Sequence, residues 1–343
     1  MKTRIVRNSA VLVGLYALAI VLAFSTTSVA QPPPYQTMVE YTGEGEHPVS
    51  VIVDKAGNFW VSLQPICQVR QYAPDWQELT RIDLVSASDC TAGTGASGLA
   101  VDAAGRLYAA VVGSDDAVRG VYRVRRSGRT SKIPGTEQIL FPNSIAFDPY
   151  DGTMYVTDMY GGAVWRVPRR GTAERWAADP LLYRDPAAGG SGANGLAIDH
   201  RWSPWCRRSR GEVVVSVTYP AASVVRIPIQ WDGSAGQPKV VASAGDFMGL
   251  VPPVYAADDI ALDLFGNVMV SAVVVGGVGR VSADGGAVER LATLPAPAVS
   301  LAFGMRRGDR KSLFVALNKG LGFGGAMSGI VKVDAGVPGR PMP

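Results

Sequence analysis

An all-β fold, a six-bladed β-propeller with four-stranded blades, is predicted by three features of the sequence. Six segments repeat one pattern along the chain, each is followed by further short apolar stretches, and Gly or Asp turns separate them. Turn formers are abundant, with 40 Gly and 23 Pro among 343 residues. At 47% hydrophobic and 18% charged, the chain is too apolar for disorder and too turn-rich for a helical bundle.

The repeated segment is a small residue or Pro, a variable position, a small residue and a short apolar run often ending in Asp. It occurs at 48–54 (PVSVIVD), 96–102 (ASGLAVD), 142–148 (PNSIAFD), 193–199 (ANGLAID), 257–263 (ADDIALD) and 298–304 (AVSLAFG). The variable positions are Val49, Ser97, Asn143, Asn194, Asp258 and Val299, spaced by 41 to 64 residues. A period near fifty residues marks a repeat architecture.

A second strand follows each segment: 59–62, 107–110, 154–157, 213–216, 268–271 and 313–316. A third carries a cation among strand formers, read as Arg81, Arg123, Arg166, Arg226, Arg280 and Lys332, most simply a solvated face of each blade. A fourth shows at 174–177, 239–242 and 289–292. Strands of four to six residues, four to a unit, describe propeller blades. The last unit lacks its fourth strand, and residues 37–41 near the other end are unclaimed. Their pairing is expected to close the ring and remove two exposed sheet edges.

The first thirty residues read as an export signal. Lys2, Arg4 and Arg7 precede a 15-residue apolar run at 10–24, and Ser28-Val29-Ala30 offers a small-x-small cleavage site before Gln31 and three prolines. The run falls short of the ~20 residues that span a bilayer. Residues 1–30 are therefore expected to be a cleaved signal and 31–343 an exported, soluble, monomeric propeller, secreted or periplasmic, with no membrane attachment after cleavage. The formal net charge of +4 owes three charges to the leader. No basic stripe with interleaved aromatics remains, which excludes nucleic acid as an expected partner. Cys67 and Cys90 bracket a loop-rich stretch and can pair in an oxidising compartment, which leaves Cys206 unpaired.

In a propeller, residues just before the innermost strands converge at the mouth of the channel. Three successive units offer Asn143, Asn194 and Asp258 there, with Asp259 beside the last, and Glu46 just precedes the first. Amide and carboxylate oxygens are the hard ligands that Ca²⁺ or Mg²⁺ requires. With only His47 and His200 in the chain, a His-rich site is excluded. Asn and Asp also serve turns that enter strands, so a cation site and turn chemistry both fit these residues. Asp54, Asp102, Asp148, Asp199 and Asp263, at the ends of the first strands, are assigned to turns, and Asp158 to structure. Gly320 to Gly325 has the spacing of a dinucleotide loop but no helix after it to receive a phosphate. No Walker loop, His-Glu-x-x-His or Gly-x-Ser-x-Gly occurs.

The six-fold pattern, with Pro142-Asn143-Ser144 and Ala193-Asn194-Gly195 opening adjacent units, resembles the senescence-marker protein/gluconolactonase family, to which paraoxonases and strictosidine synthase-like proteins are related. The resemblance spans about Glu46 to Asp334. It implies a divalent cation, most simply Ca²⁺, held by Glu46, Asn143, Asn194 and Asp258. It implies hydrolysis of a lactone or ester, with Asp258 or Asp259 orienting or deprotonating the attacking water. A related pattern places the first acid after the Pro, where this chain has Val49. The small-molecule partner is then a substrate. The alternative is a non-catalytic propeller that binds a small ligand or protein. Enlarged loops at 200–210 and 230–256, the latter with Trp231, Phe247, Met248 and Tyr255, are candidates for a lid or for surface insertions.

Overall fold

A computed structural model describes residues 34–340, apart from 126, 184–190, 201–208, 219–221, 244–245, 247–256 and 275. The expected leader lies outside the described residues, as do Cys206 and the loop residues Phe247, Met248 and Tyr255.

Six antiparallel four-stranded sheets make up the described chain, each running from an inner to an outer strand. The inner strands are Glu46–Val53, Gly95–Val101, Pro142–Phe147, Ala193–Asp199, Ala257–Leu262 and Ala298–Phe303. These are the six repeated segments. The N-terminal strand Tyr35–Glu40 pairs with Gly329–Asp334 and supplies the outer strand of blade 6. It begins two residues earlier than the sequence suggests and ends before Tyr41, which turns into the core. The ring thus closes by hydrogen bonding between the two ends of the domain.

Both faces of each blade are apolar because each packs against a neighbour. Between blades 5 and 6, for example, Met269, Leu301, Leu313 and Val315 are buried together. Blades 4 and 5 share Val214, Val224, Ile260 and Val270. Burial on two faces explains second strands such as Leu107–Val112 and Ser312–Leu317, in which every residue is buried.

Blade 1 departs from the sequence reading. Its third strand is Gln68–Tyr72 and carries Arg70, whereas Arg81 lies on the outer strand Glu78–Asp83. The turn between the second and third strands uses Ile66 and Cys67, with Cys67 at φ 51. A positive φ usually announces itself as Gly or Asn, and this reversal carries neither at that position. Cys67 is joined to Cys90 by the expected disulfide. The repeated cations also do more than face solvent. Arg166 pairs with Glu174 and Arg280 with Glu289 across strand neighbours, while Arg226 is only 5% exposed and bridges Asp199 and Glu212.

Candidate functional site

Every inner strand breaks register with its partner at the variable position. The shifts fall between Pro48 and Ser50, Ala96 and Leu99, Pro142 and Ile145, Ala193 and Leu196, Ala257 and Ile260, and Ala298 and Ser300. Bulges of this kind kink a strand and re-aim its side chains. They turn the variable residues toward the mouth of the channel.

Hydroxyls at the fourth position of the second-strand segments hold four of these bulges. Ser62 Oγ accepts from Ser50 N (3.0 Å), Thr157 Oγ1 from Ser144 N (2.9 Å), Ser216 Oγ from Gly195 N (2.8 Å) and Ser271 Oγ from Asp259 N (2.8 Å). Three of them also donate to the next blade: Ser62 to Ser97 O (2.6 Å), Thr157 to Asn194 O and Ser216 to Asp258 O. Each hydroxyl thereby satisfies buried backbone groups of two blades at once. Gly98 and Gly195 permit the close approach this needs. A Cβ at Gly98 would lie 1.9 Å from Asn143 O, and one at Gly195 2.6 Å from Asp258 O. The sequence reading did not single out these hydroxyls, although Ser or Thr at that position in four of six units was the available signal.

The structure brings Asn143, Asn194 and Asp258 together. Ser97 Oγ donates to Asn143 Oδ1, Asn143 Nδ2 to Asn194 Oδ1, and Asn194 Nδ2 to Thr218 Oγ1 (2.7 Å). Asn194 also hydrogen-bonds the Asp258 carboxyl. Asp259 accepts from Ser300 Oγ (2.6 Å) and Ile260 N (2.9 Å), and Ser300 Oγ accepts from Val51 N (3.2 Å). Burial, and then the Asp259 charge, push Asp258 up to about 8, against the pull of the Asn194 hydrogen bond. Burial pushes Asp259 up to about 6, tempered by the Ser300 hydroxyl and the Ile260 and Leu301 N–H groups. Both residues line the bore of the channel and keep partial exposure, and solvent contact moderates the cost of charging them.

Glu46 stands apart from this group. It begins the inner strand, three residues before the bulge, and pairs with the buried Arg70 of the third strand. Hydrogen bonding to Arg70 holds its carboxyl below the usual range despite partial burial, and Arg70 also lies over the Tyr41 ring. His47 Nδ1 meets Ser328 Oγ at 2.9 Å, and burial together with the Lys319 charge lowers its pKa. Blade 1 therefore presents Val49 at the variable position.

Most of the inner-strand aspartates cap turns as expected. Asp54, Asp102, Asp148 and Asp263 each accept from backbone N–H groups of the turn that follows. Asp158 accepts from Leu140 N, Phe141 N and Gly161 N. Asp199 meets Arg226 and Arg340, and the turn that follows it lies outside the described residues.

The channel encloses a cavity of about 350 Å³. Its mouth carries the variable residues, and its waist is ringed by Ile52, Ala100, Ala146, Ala197, Ala261 and Ala302. Small side chains there let six inner strands approach one axis. At the far end the C-terminal segment crosses beneath blades 5 and 4. Pro338 O accepts from Leu264 N, Leu262 O accepts from Arg340 N, and Arg340 pairs with Asp199. Trp231 lies on the loop joining the third and outer strands of blade 4, at that far end rather than at the mouth.

Residues 91–229, which run from the start of blade 2 into the third strand of blade 4 and include Asn143 and Asn194, match a family profile. That profile describes the SMP-30/gluconolactonase/LRE-like region. No curated protein sequence matches the chain. Solved structures that share the fold include a gluconolactonase from Xanthomonas campestris, at 18% identity, 89% coverage of each chain and a TM-score of 0.62. A regucalcin from Agrobacterium tumefaciens, described as a calcium-binding protein, aligns at 14% identity over 90% of this chain and 96% of its own, with a TM-score of 0.63. A streptogramin B lyase aligns at 12% identity over 87% of this chain and 96% of its own, with a TM-score of 0.55. At these identities the solved structures share the propeller fold with this chain.

Proposed function

We propose that this is an exported, divalent-metal-dependent hydrolase of a lactone or ester, working at the channel mouth. The observation that carries the reading is the pair Asp258 and Asp259. Two adjacent carboxyls are buried together, and the influences on Asp258 are its burial, the Asp259 charge and the Asn194 amide, none of them cationic. A fold has no packing reason to keep such a pair, whereas strongly perturbed carboxyls in a cavity are a mark of a working site.

The donor set suits a hard cation. Asn143, Asn194 and Asp258 supply amide and carboxylate oxygens on three successive blades, the chemistry Ca²⁺ prefers. Among the described residues no cluster of three or more His, Cys, Asp or Glu is poised for a metal, so amides must complete the set. Bound there, the cation would supply Lewis-acid polarisation of the substrate carbonyl. Asp259, kept nearer ionisation by Ser300 and two backbone N–H groups, is the residue to take a proton from the attacking water. The Asn143–Asn194–Thr218 chain fixes the amides and so orients the carbonyl.

A second reading, a non-catalytic propeller that binds a small ligand, draws support from Val49 and from the engagement of Glu46 by Arg70, which leave the mouth one acid short of the set the sequence suggests. One experiment separates the two. The thermal midpoint of the 31–343 chain is measured with EDTA and with Ca²⁺, for the native protein and Asp258→Ala, alongside hydrolysis of lactones and aryl esters. Ca²⁺ at a hundred times its Kd adds about 2.7 kcal/mol, which must vanish in the variant together with turnover. No shift and no turnover in the native protein refutes the hydrolase.

A further inference from the structure

The mouth of the channel is divided in two. Blades 3, 4 and 5 present Asn143, Asn194 and Asp258, while blades 6 and 1 present Val299 and Val49. Those two valines are neighbours, because the inner strands of blades 6 and 1 are linked by the bond from Val51 N to Ser300 Oγ. Just below Val49 the waist ring, otherwise alanine, carries Ile52. The nearby Ser300 hydroxyl cannot serve a ligand as donor, since its proton is committed to Asp259. One half of the site therefore hydrogen-bonds and the other half repels polar groups.

We infer that the ligand is a lactone or ester bearing an apolar substituent, with its carbonyl toward Asn143, Asn194 and Asp258 and its substituent against Val49, Ile52 and Val299. Polyhydroxylated sugar lactones fit poorly. Their hydroxyls point outward all round the ring, and those turned toward blades 6 and 1 would be desolvated without partners. An alkyl chain gains there instead, about 4-fold in affinity for each methylene buried. A cavity of about 350 Å³ is within the range of small-molecule sites. The identity of the reacting ring rests on the hydrolase reading; the division of the mouth does not.

The test uses two δ-lactams that resist hydrolysis, 6-pentylpiperidin-2-one and glucono-δ-lactam, titrated calorimetrically into the 31–343 protein with and without Ca²⁺. The alkyl lactam is expected to bind at least ~10-fold tighter, which requires burying only about two methylenes. Val49→Thr, nearly isosteric, should weaken the alkyl lactam several-fold without weakening the sugar lactam, and its thermal midpoint reports that the fold is kept. Equal or tighter binding of the sugar lactam overturns the inference, as does a Val49→Thr protein that binds both as the native one does. Preferential alkyl binding with no turnover of any lactone leaves this inference standing and removes the hydrolase. Turnover of glucono-δ-lactone in preference to δ-decalactone does the reverse, and binding of neither lactam removes the ligand assignment.

Discussion

Replacing Asp258 by Asn distinguishes a working site from a structural one. The carboxyl is shifted from an ordinary 3.8 to about 8, with burial and the neighbouring Asp259 as the causes. The native state thus binds this proton more tightly than the unfolded chain. Stability is fully present below the ordinary value and is lost as pH rises toward 8. At about 1.4 kcal/mol for each pH unit, the cost at pH 8 is bounded near 5 kcal/mol. Solvent contact reduces it, and ~2 kcal/mol is the working figure. An unfolding entropy of roughly 2.1 cal/mol/K per residue over about 310 residues converts this to ~3 °C. In EDTA, Asp258→Asn should therefore melt ~3 °C above the native protein at pH 8 and level with it at pH 4, measured by circular dichroism, while losing its response to Ca²⁺. A variant that melts below the native protein at pH 8 would show that the carboxylate holds the bulge together and refute the reasoning.

Three further outcomes follow from the packing. Gly98→Ala places a methyl 1.9 Å from the Asn143 carbonyl and should lower stability by about 3 kcal/mol; an unchanged urea midpoint would contradict the close approach of blades 2 and 3. Thr157→Val keeps shape but strips the partner from Ser144 N and Asn194 O, at a cost of about 2 kcal/mol in the same assay. Exchanging Cys67 and Cys90 together for Ser opens a bridge across a sequence separation of 23 and should cost about 3 kcal/mol; a midpoint equal to that of the native protein under oxidising conditions would count against the bridge.

Much of the fold was legible because one motif does the same physical job six times. An inner strand needs a bulge at its start and small residues where six strands crowd one axis, and five of the six end in an Asp, so the sequence repeats in register even where the spacing runs from 41 to 64 residues. Ring closure was legible from a missing strand at one end and a spare one at the other. The third strand of blade 1 was not, because its turn carries Cys67 at positive φ in place of a glycine. That error hid Arg70, and with it the partner of Glu46. Nearness in sequence suggested that Glu46 reaches the mouth, but the bulge selects one residue per blade, and in blade 1 it is Val49.

Departures from the repeat carry the functional signal that the repeat itself cannot. The position after each variable residue is Ser50, Gly98, Ser144, Gly195, Asp259 and Ser300. Five are Ser or Gly, as close contact between blades demands, and the sixth is an acid pushed up to about 6 by burial. Packing favours a small residue there, and a Ser at 259 would satisfy the same neighbours without a charge. A local choice that opposes the fold's own preference persists where function requires it. The waist gives the matching case, with Ile52 among five alanines. Asp259 and Ile52 lie in blades 5 and 1, with blade 6 between them, and the Ser300 hydroxyl of blade 6 joins those sectors by donating to Asp259 while accepting from Val51 N. The blades that carry the two exceptions are thus linked through a single hydroxyl, at the boundary between the polar and apolar halves of the mouth, where a ligand with one reactive carbonyl and one apolar arm would have to sit.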